Sequence, residues 1–298
     1  MVLKTSDASF AKKIVAATLA GLGLSLFAAP AAQADYVMGL IPAENNEEMI
    51  KKFEPMRVYL EKKLGDKVKV FTATDYAGVI EAMRKKRVDI AWFGPLSYVL
   101  AEQEAGAEAI AVGIRKGQNT STYKSIYVAR CDSGLKSLND LKGKSVAFVD
   151  PASTSGGLVP TFMIKKASGQ MPEQYFGKFM YAGSHDAAEL AVKNKTVDAA
   201  ADNDITYNKM LAKGLISKDE SCVIAESDPL PGSPLVVRGS LTRGEKTAIK
   251  NAILSAHKDI QVTGYGELSH YVEAKPADYQ QIRDLIKQLG LKKEQMLK

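Results

Sequence analysis

Three consecutive hydroxyl residues and two glycines, Ser153-Thr154-Ser155-Gly156-Gly157, stand between an apolar run ending at Val149 and an amphipathic run beginning near Leu158. At a helix start they offer hydroxyl donors, backbone N–H groups without helical acceptors and the positive end of the helix dipole. Those are the parts of an anion cradle. A Walker loop needs Gly-Lys-Ser/Thr, and no lysine stands here, so the cradle suits a small oxyanion. Plain N-capping by a single hydroxyl is the simpler alternative. A second strand-to-helix junction, Tyr181-Ala-Gly-Ser184-His185-Asp186, puts His185 at a helix start facing the same cleft. Asp202-Asn-Asp204, Asp75-Tyr76 and Trp92-Phe-Gly-Pro95 end further strands, and their aromatics are equally compatible with core or lid packing.

Patterns for catalysis are missing. His185, His257 and His270 have no metal-ligand spacing to one another or to cysteine. There is no Gly-x-Ser-x-Gly elbow, no dinucleotide fingerprint after the first strand, and no base beside Ser153–Ser155 in sequence. Hydroxyls, one histidine and aromatics bind well and react poorly. A binding protein with no metal and no cofactor is therefore expected, rather than an enzyme. An exported phosphate-ester hydrolase is the competing class.

These residues are positioned by an alternation of short strands and amphipathic helices, which predicts an α/β fold with a largely parallel sheet covered on both faces. Strands are expected at 36–41, 68–72, 89–93 and 109–114, with helices at 49–64, 77–84 and 96–105 between them. Pro55 predicts that the first helix is kinked or begins late. After a polar loop at 116–122 comes a strand at 123–130. A second series follows, with strands at 145–149, 179–182, 197–201 and 222–225 and helices at 158–167, 186–194 and 206–212. A turn-rich connection at 228–234 precedes a strand at 235–237 and helices at 242–257 and 276–290. Two lobes fit the length of 298 residues, and ligands of such sheets sit at strand carboxyl ends between lobes.

Lys4, Lys12 and Lys13, an apolar run from Ile14 to Ala29 and Pro30-Ala-Ala-Gln-Ala34 make a secretory signal pattern with cleavage before Asp35. The run is short for a membrane span and contains Thr18, Gly21, Gly23 and Ser25. Export is expected. The segment carries two of the six net positive charges, leaving about +4 and no basic-aromatic surface for nucleic acid. Arg84-Lys-Lys-Arg87 is explained by a helix C-terminus. Cys131 and Cys222 allow one pairing, which sequence alone leaves open.

The stretches Asp75–Arg84, Val88–Ser97, Asp150–Gly156, Ala182–His185 and Pro231–Pro234, in this order, resemble the phosphonate/phosphite-binding periplasmic proteins of ABC transporters. The resemblance implies a two-lobe type II periplasmic binding fold with hinge strands, crossing near Tyr123–Arg130 and Leu235–Gly239. Lobe 1 is then 35–122 with 239–298, and lobe 2 is 123–238. It further implies a monomer serving a permease with its ATPase. By the same resemblance the oxyanion is held by Ser153, Thr154, Ser155, His185, Tyr76 and Tyr123. Aminoalkyl-phosphonate binders place carboxylates where this chain has Ile205 and Ser233, and a buried unpaired ammonium costs roughly several kcal/mol. Phosphite, then methylphosphonate, is therefore the expected ligand, with Asp204 able to accept from a P–OH. 2-Aminoethylphosphonate and inorganic phosphate are the alternatives within the class.

Overall fold

The computed structural model describes residues 35–298, and the expected signal segment lies outside the described residues. Strand β1 (Tyr36–Leu40) buries Met38 and Leu40 completely and leads to α1 (Asn46–Leu64). That helix begins at Asn46, earlier than expected, because Asn45 caps it by accepting from Glu48 N at 3.0 Å. Pro55 is tolerated inside it on an exposed face, where water can take the carbonyl left without a partner. The first lobe continues through β2 (Val68–Thr72), α2 (Tyr76–Arg84), β3 (Ile90–Trp92), α3 (Pro95–Ala105) and β4 (Glu108–Arg115).

The two-residue strand β5 (Thr122–Tyr123) leads to the second lobe. There β6 (Ser125–Arg130) and β7 (Ser145–Phe148) precede a π-helical turn, Thr154–Leu158, that runs into α4 (Val159–Ser168). Next come α5 (Pro172–Tyr175), β8 (Lys178–Tyr181), α6 (His185–Lys193), β9 (Ala199–Asn203), α7 (Asp204–Ala212) and β10 (Ser221–Glu226). Through β11 (Leu230–Pro231) the chain returns to β12 (Pro234–Val237), α8 (Arg243–Ser255), β13 (Leu268–Glu273), α9 (Gln280–Leu289) and α10 (Lys293–Met296). Strand β13 has no counterpart in the sequence expectation. Its burial alternates weakly and its register slips beside His270, as at a sheet edge.

The sheets are mixed, not largely parallel. The first has the order β13-β4-β12-β3-β1-β2, and the second β10-β6-β9-β7-β8. Only strands joined through helical crossovers, β1 with β2 and β3, and β7 with β8 and β9, pair in parallel. Strands β12 and β6 arrive directly from the crossings between lobes, so they run against their neighbours. The crossings themselves pair as an antiparallel ribbon, with Tyr123 opposite Leu230 and Thr122 opposite Pro231. The return crossing thus lies upstream of the expected Leu235–Gly239. Leu235 is already locked in the first sheet, between Trp92 and Ala111.

Cores fill both lobes. In the first, Phe53 packs on Trp92 at 5.6 Å and Tyr98 meets Tyr279 at 4.8 Å. In the second, Phe148 sits edge-on to Phe179 at 4.8 Å and also meets Tyr127 and Phe176. Cys131 and Cys222 form a disulfide across the β6–β10 edge, with α-carbons 5.1 Å apart. The bridge closes a loop spanning a sequence separation of 91, long enough to remove about 3–5 kcal/mol of unfolded-chain entropy. The double variant Cys131→Ser/Cys222→Ser should lose about that much unfolding free energy in denaturant titration. A loss below about 1 kcal/mol would show that the bridge constrains little.

Candidate ligand-binding site

At the end of β7 the chain turns through Val149-Asp150-Pro151, and Ser153 caps the following π-helical turn by accepting from Gly156 N at 3.1 Å. Such turns are rare and concentrate at functional sites. Sterics fix both glycines. A Cβ on Gly156 would lie 2.2 Å from Val149 Cγ2, and one on Gly157 would lie 2.4 Å from the Asp150 carbonyl oxygen. Close approach of the turn to the strand end therefore requires Gly-Gly. The three hydroxyl residues are each 2% exposed, and the leading N–H groups of a helical turn have no helical acceptor.

Several of these groups are satisfied from the opposite lobe. Leu96 N, at the start of α3, donates to Thr154 Oγ1 at 2.8 Å, and Ser97 Oγ donates to the Ala152 carbonyl at 3.2 Å. Tyr76 N, at the start of α2, donates to Asp150 Oδ2 at 3.2 Å, while Ala152 N donates to Oδ1 at 2.7 Å. His185 N, at the start of α6, donates to the Ala43 carbonyl at 2.9 Å. Three helix starts and the π-helical turn thus converge on one small enclosed space.

That space is a cavity of about 20 Å³ for the centres of water-sized groups. The volume exceeds the roughly 10–15 Å³ that one water needs, so the space admits only a very small group without movement of its walls. It brings together Tyr76, Tyr123, Ser153, Thr154, Ser155 and His185, six of the seven residues singled out from the sequence. Ile41, Ala43, Trp92 and Gly94 close it from the first lobe, with Asn203, Ser233 and Tyr265 on its other sides. Asp204 does not line it. Its Oδ1 accepts from Lys124 N at 3.0 Å, its Oδ2 lies 3.9 Å from Arg115, and it borders a larger open cleft.

Burial keeps the phenols of Tyr76 and Tyr123 neutral by pushing both well above the usual range. The Ser153 hydroxyl sits by the first, and those of Thr154 and Ser155 by the second. Burial also holds His185 down to about 4, so its imidazole is neutral near pH 7. Its Nδ1 lies 2.6 Å from Asp202 Oδ1 and 3.0 Å from Asn203 Nδ2. Asn203 is oriented by accepting from Ile205 N and Thr206 N, and its amide reaches Tyr265 at 3.0 Å. Tyr265 stacks on Trp92 at 4.9 Å.

Ile205 and Ser233 lie together in a neighbouring cavity that shares Trp92, Tyr123, Ser233 and Tyr265 with the first. Among the residues lining either cavity there is no carboxylate. At the rim, Glu44 is buried between Lys52, at 2.5 Å, and Lys209 of the other lobe. In the sequence Asn203 reads only as part of a strand end, and Trp92 only as core or lid packing. Tyr265 lies in an irregular segment before β13 with no sequence signal.

Two lobes, paired crossings and an enclosed polar cavity between helix starts define a solute-binding protein. A family model described as "ABC transporter, phosphonate, periplasmic substrate-binding protein" matches residues 38–279, and the chain belongs to that family. It is 35% identical to the phosphonates-binding periplasmic protein of Escherichia coli over 74% of this chain and 65% of that protein. It is likewise 35% identical to the phosphate-import protein PhnD of Mycolicibacterium smegmatis, over 68% of this chain and 66% of that one. The match therefore spans just under two thirds of either relative. A crystal structure of a binding protein component of an ABC phosphonate transporter from Pseudomonas aeruginosa superposes with TM-score 0.79 at 29% identity, covering 85% of each chain.

Asp150 gives the site a pH signature. Burial raises it from 3.8 to about 6, against the two amides that favour its charge. An acid raised on folding stabilises the fold at low pH and loses that contribution as pH rises through the folded value. Between about pH 4 and pH 7, the stability of ligand-free wild type should fall by roughly 3 kcal/mol relative to Asp150→Asn. Parallel pH–stability curves for the two proteins would contradict the assignment.

Proposed function

We propose that this chain is the exported, periplasmic binding component of an ABC importer, that it captures phosphite or methylphosphonate, and that it passes the ligand to a permease with its ATPase. It acts as a monomer without catalysis, cofactor or metal. The observation that carries this reading is the small cavity of neutral donors with no carboxylate among the residues that line it or its neighbour. An oxyanion entering such a space exchanges water for hydroxyl and imidazole partners and keeps its charge matched. An ammonium would find no counter-charge at Ile205 or Ser233. Ile41, Ala43 and Trp92 give one wall an apolar surface, which suits a P–H or P–CH3 vertex better than a fourth oxygen. The printed name of the Mycolicibacterium relative makes inorganic phosphate the ligand to test against this preference.

A ligand panel read by thermal unfolding separates the alternatives. A ligand present at a thousandfold excess over its Kd adds about 4 kcal/mol to stability. Phosphite and methylphosphonate should raise the melting temperature more than phosphate, sulfate or 2-aminoethylphosphonate. A larger rise with 2-aminoethylphosphonate would overturn the ligand assignment. Hydrolysis of a phosphate ester that disappears in Ser155→Ala would overturn the non-enzyme reading.

A further inference from the structure

Two small cavities lie side by side: the one lined by the hydroxyl-rich turn, of about 20 Å³, and its neighbour, of about 30 Å³. Trp92, Tyr123, Ser233 and Tyr265 line both, so these four residues form the partition between them. The first three come from β3, from β5 and from the short stretch between β11 and β12. Tyr265 comes from the irregular segment between α8 and β13. The chain turns beside it at Gly266, whose φ of 89° lies in the left-handed region.

The ring of Tyr265 and its hydroxyl are held by different lobes. The ring is buried, packs on Trp92 of β3 at 4.9 Å and lies 4.8 Å beneath Lys52 Nζ of α1, within cation–π reach. Lys52 is kept there by Glu44, 2.5 Å from its ammonium. The hydroxyl crosses to the second lobe. It accepts from Asn203 Nδ2, at the end of β9, at 3.0 Å, which leaves its own proton for Thr206 Oγ1 on α7, its second partner. Asn203 is fixed in turn, since its carbonyl oxygen accepts from Ile205 N and Thr206 N. Asn203 and Thr206 are both buried, and the Thr206 hydroxyl has no other hydrogen-bond partner among the described residues. One side chain therefore carries a cavity wall and a buried hydrogen bond from lobe to lobe.

We infer that Tyr265 is a specificity-determining residue of the ligand site: its hydroxyl latches the closed lobes over the ligand, and its ring is the partition that limits the ligand's substituent. The inference rests on the oxyanion reading above and adds the residue that sets its size limit. A P–H or P–CH3 vertex fits on the near side of the partition. An ethyl or propyl group needs the neighbouring cavity, which the ring closes off. Latch and partition reside in different atoms of the side chain, so they separate by substitution.

The test compares Tyr265→Phe, which keeps the ring and removes the hydroxyl, with Tyr265→Ala, which removes both. Phosphite, methylphosphonate and n-propylphosphonate are titrated into each protein, and release rates are measured by stopped flow. Tyr265→Phe should bind phosphite and methylphosphonate about three- to tenfold more weakly through faster release. Its ratio of methylphosphonate to propylphosphonate affinity should stay within about twofold of wild type. Tyr265→Ala should shift that ratio toward propylphosphonate by about tenfold or more, and Tyr265→Leu serves if the alanine variant fails to fold. Wild-type affinity and release in Tyr265→Phe would overturn the latch. A ratio unmoved by removal of the ring would overturn the partition. If wild type binds inorganic phosphate and neither phosphite nor methylphosphonate, the ligand reading fails, and phosphate with n-propyl phosphate reads latch and partition in the same variants. Binding of none of these anions by wild type would overturn both readings.

Discussion

Helix-start amides of one lobe are satisfied by acceptors of the other, and the rest of the site depends on that exchange. Leu96 N uses the Thr154 hydroxyl, Tyr76 N uses the Asp150 carboxylate, and His185 N uses the Ala43 carbonyl. Each is a leading N–H that its own helix cannot satisfy, and an unmade bond in a dry cleft costs about 1–3 kcal/mol. The lobes therefore close with correct register or leave polar groups stranded. Gly156 and Gly157 serve the same constraint, since any Cβ there would push the turn away from the strand end that supplies Asp150.

Charge is kept out of the cavity and arranged around it. Hydroxyls, phenols held neutral by burial and an uncharged imidazole line the cavity. The acids lie behind, as Asp150, Asp202 and Glu189, or at the rim, as Glu44 between two lysines. An anion with its charge can then enter without meeting a carboxylate in the wall. A substrate with a positive end cannot be matched there.

Much of this was legible in the sequence, for identifiable reasons. The hydroxyl-rich turn at the cavity was visible because three hydroxyls and two glycines exceed what a single cap requires, and the strand–helix alternation carried the two lobes. The sheet direction was not, because β6 and β12 receive their orientation from the crossings between lobes, not from their own residues. The same ignorance misplaced the second crossing, since Leu235 reads as a strand in either lobe. Asp204 looked equivalent to its neighbours at a strand end, but Asn203 turns inward to cap α7 and Asp204 turns out to hold Lys124 N. Tyr265 comes from an irregular stretch held by long-range contacts, packing on Trp92 and hydrogen bonds to Asn203 and Thr206.

The central claim is that selectivity follows from the missing carboxylates at Ile205 and Ser233. The most direct measurement is the ratio of Kd values for phosphite and 2-aminoethylphosphonate, in wild type and in Ile205→Glu. Wild type should favour phosphite by about tenfold or more, and the introduced carboxylate should shift the ratio toward the aminophosphonate by a similar factor. Equal affinities in wild type, or a ratio unmoved by Ile205→Glu, would contradict it.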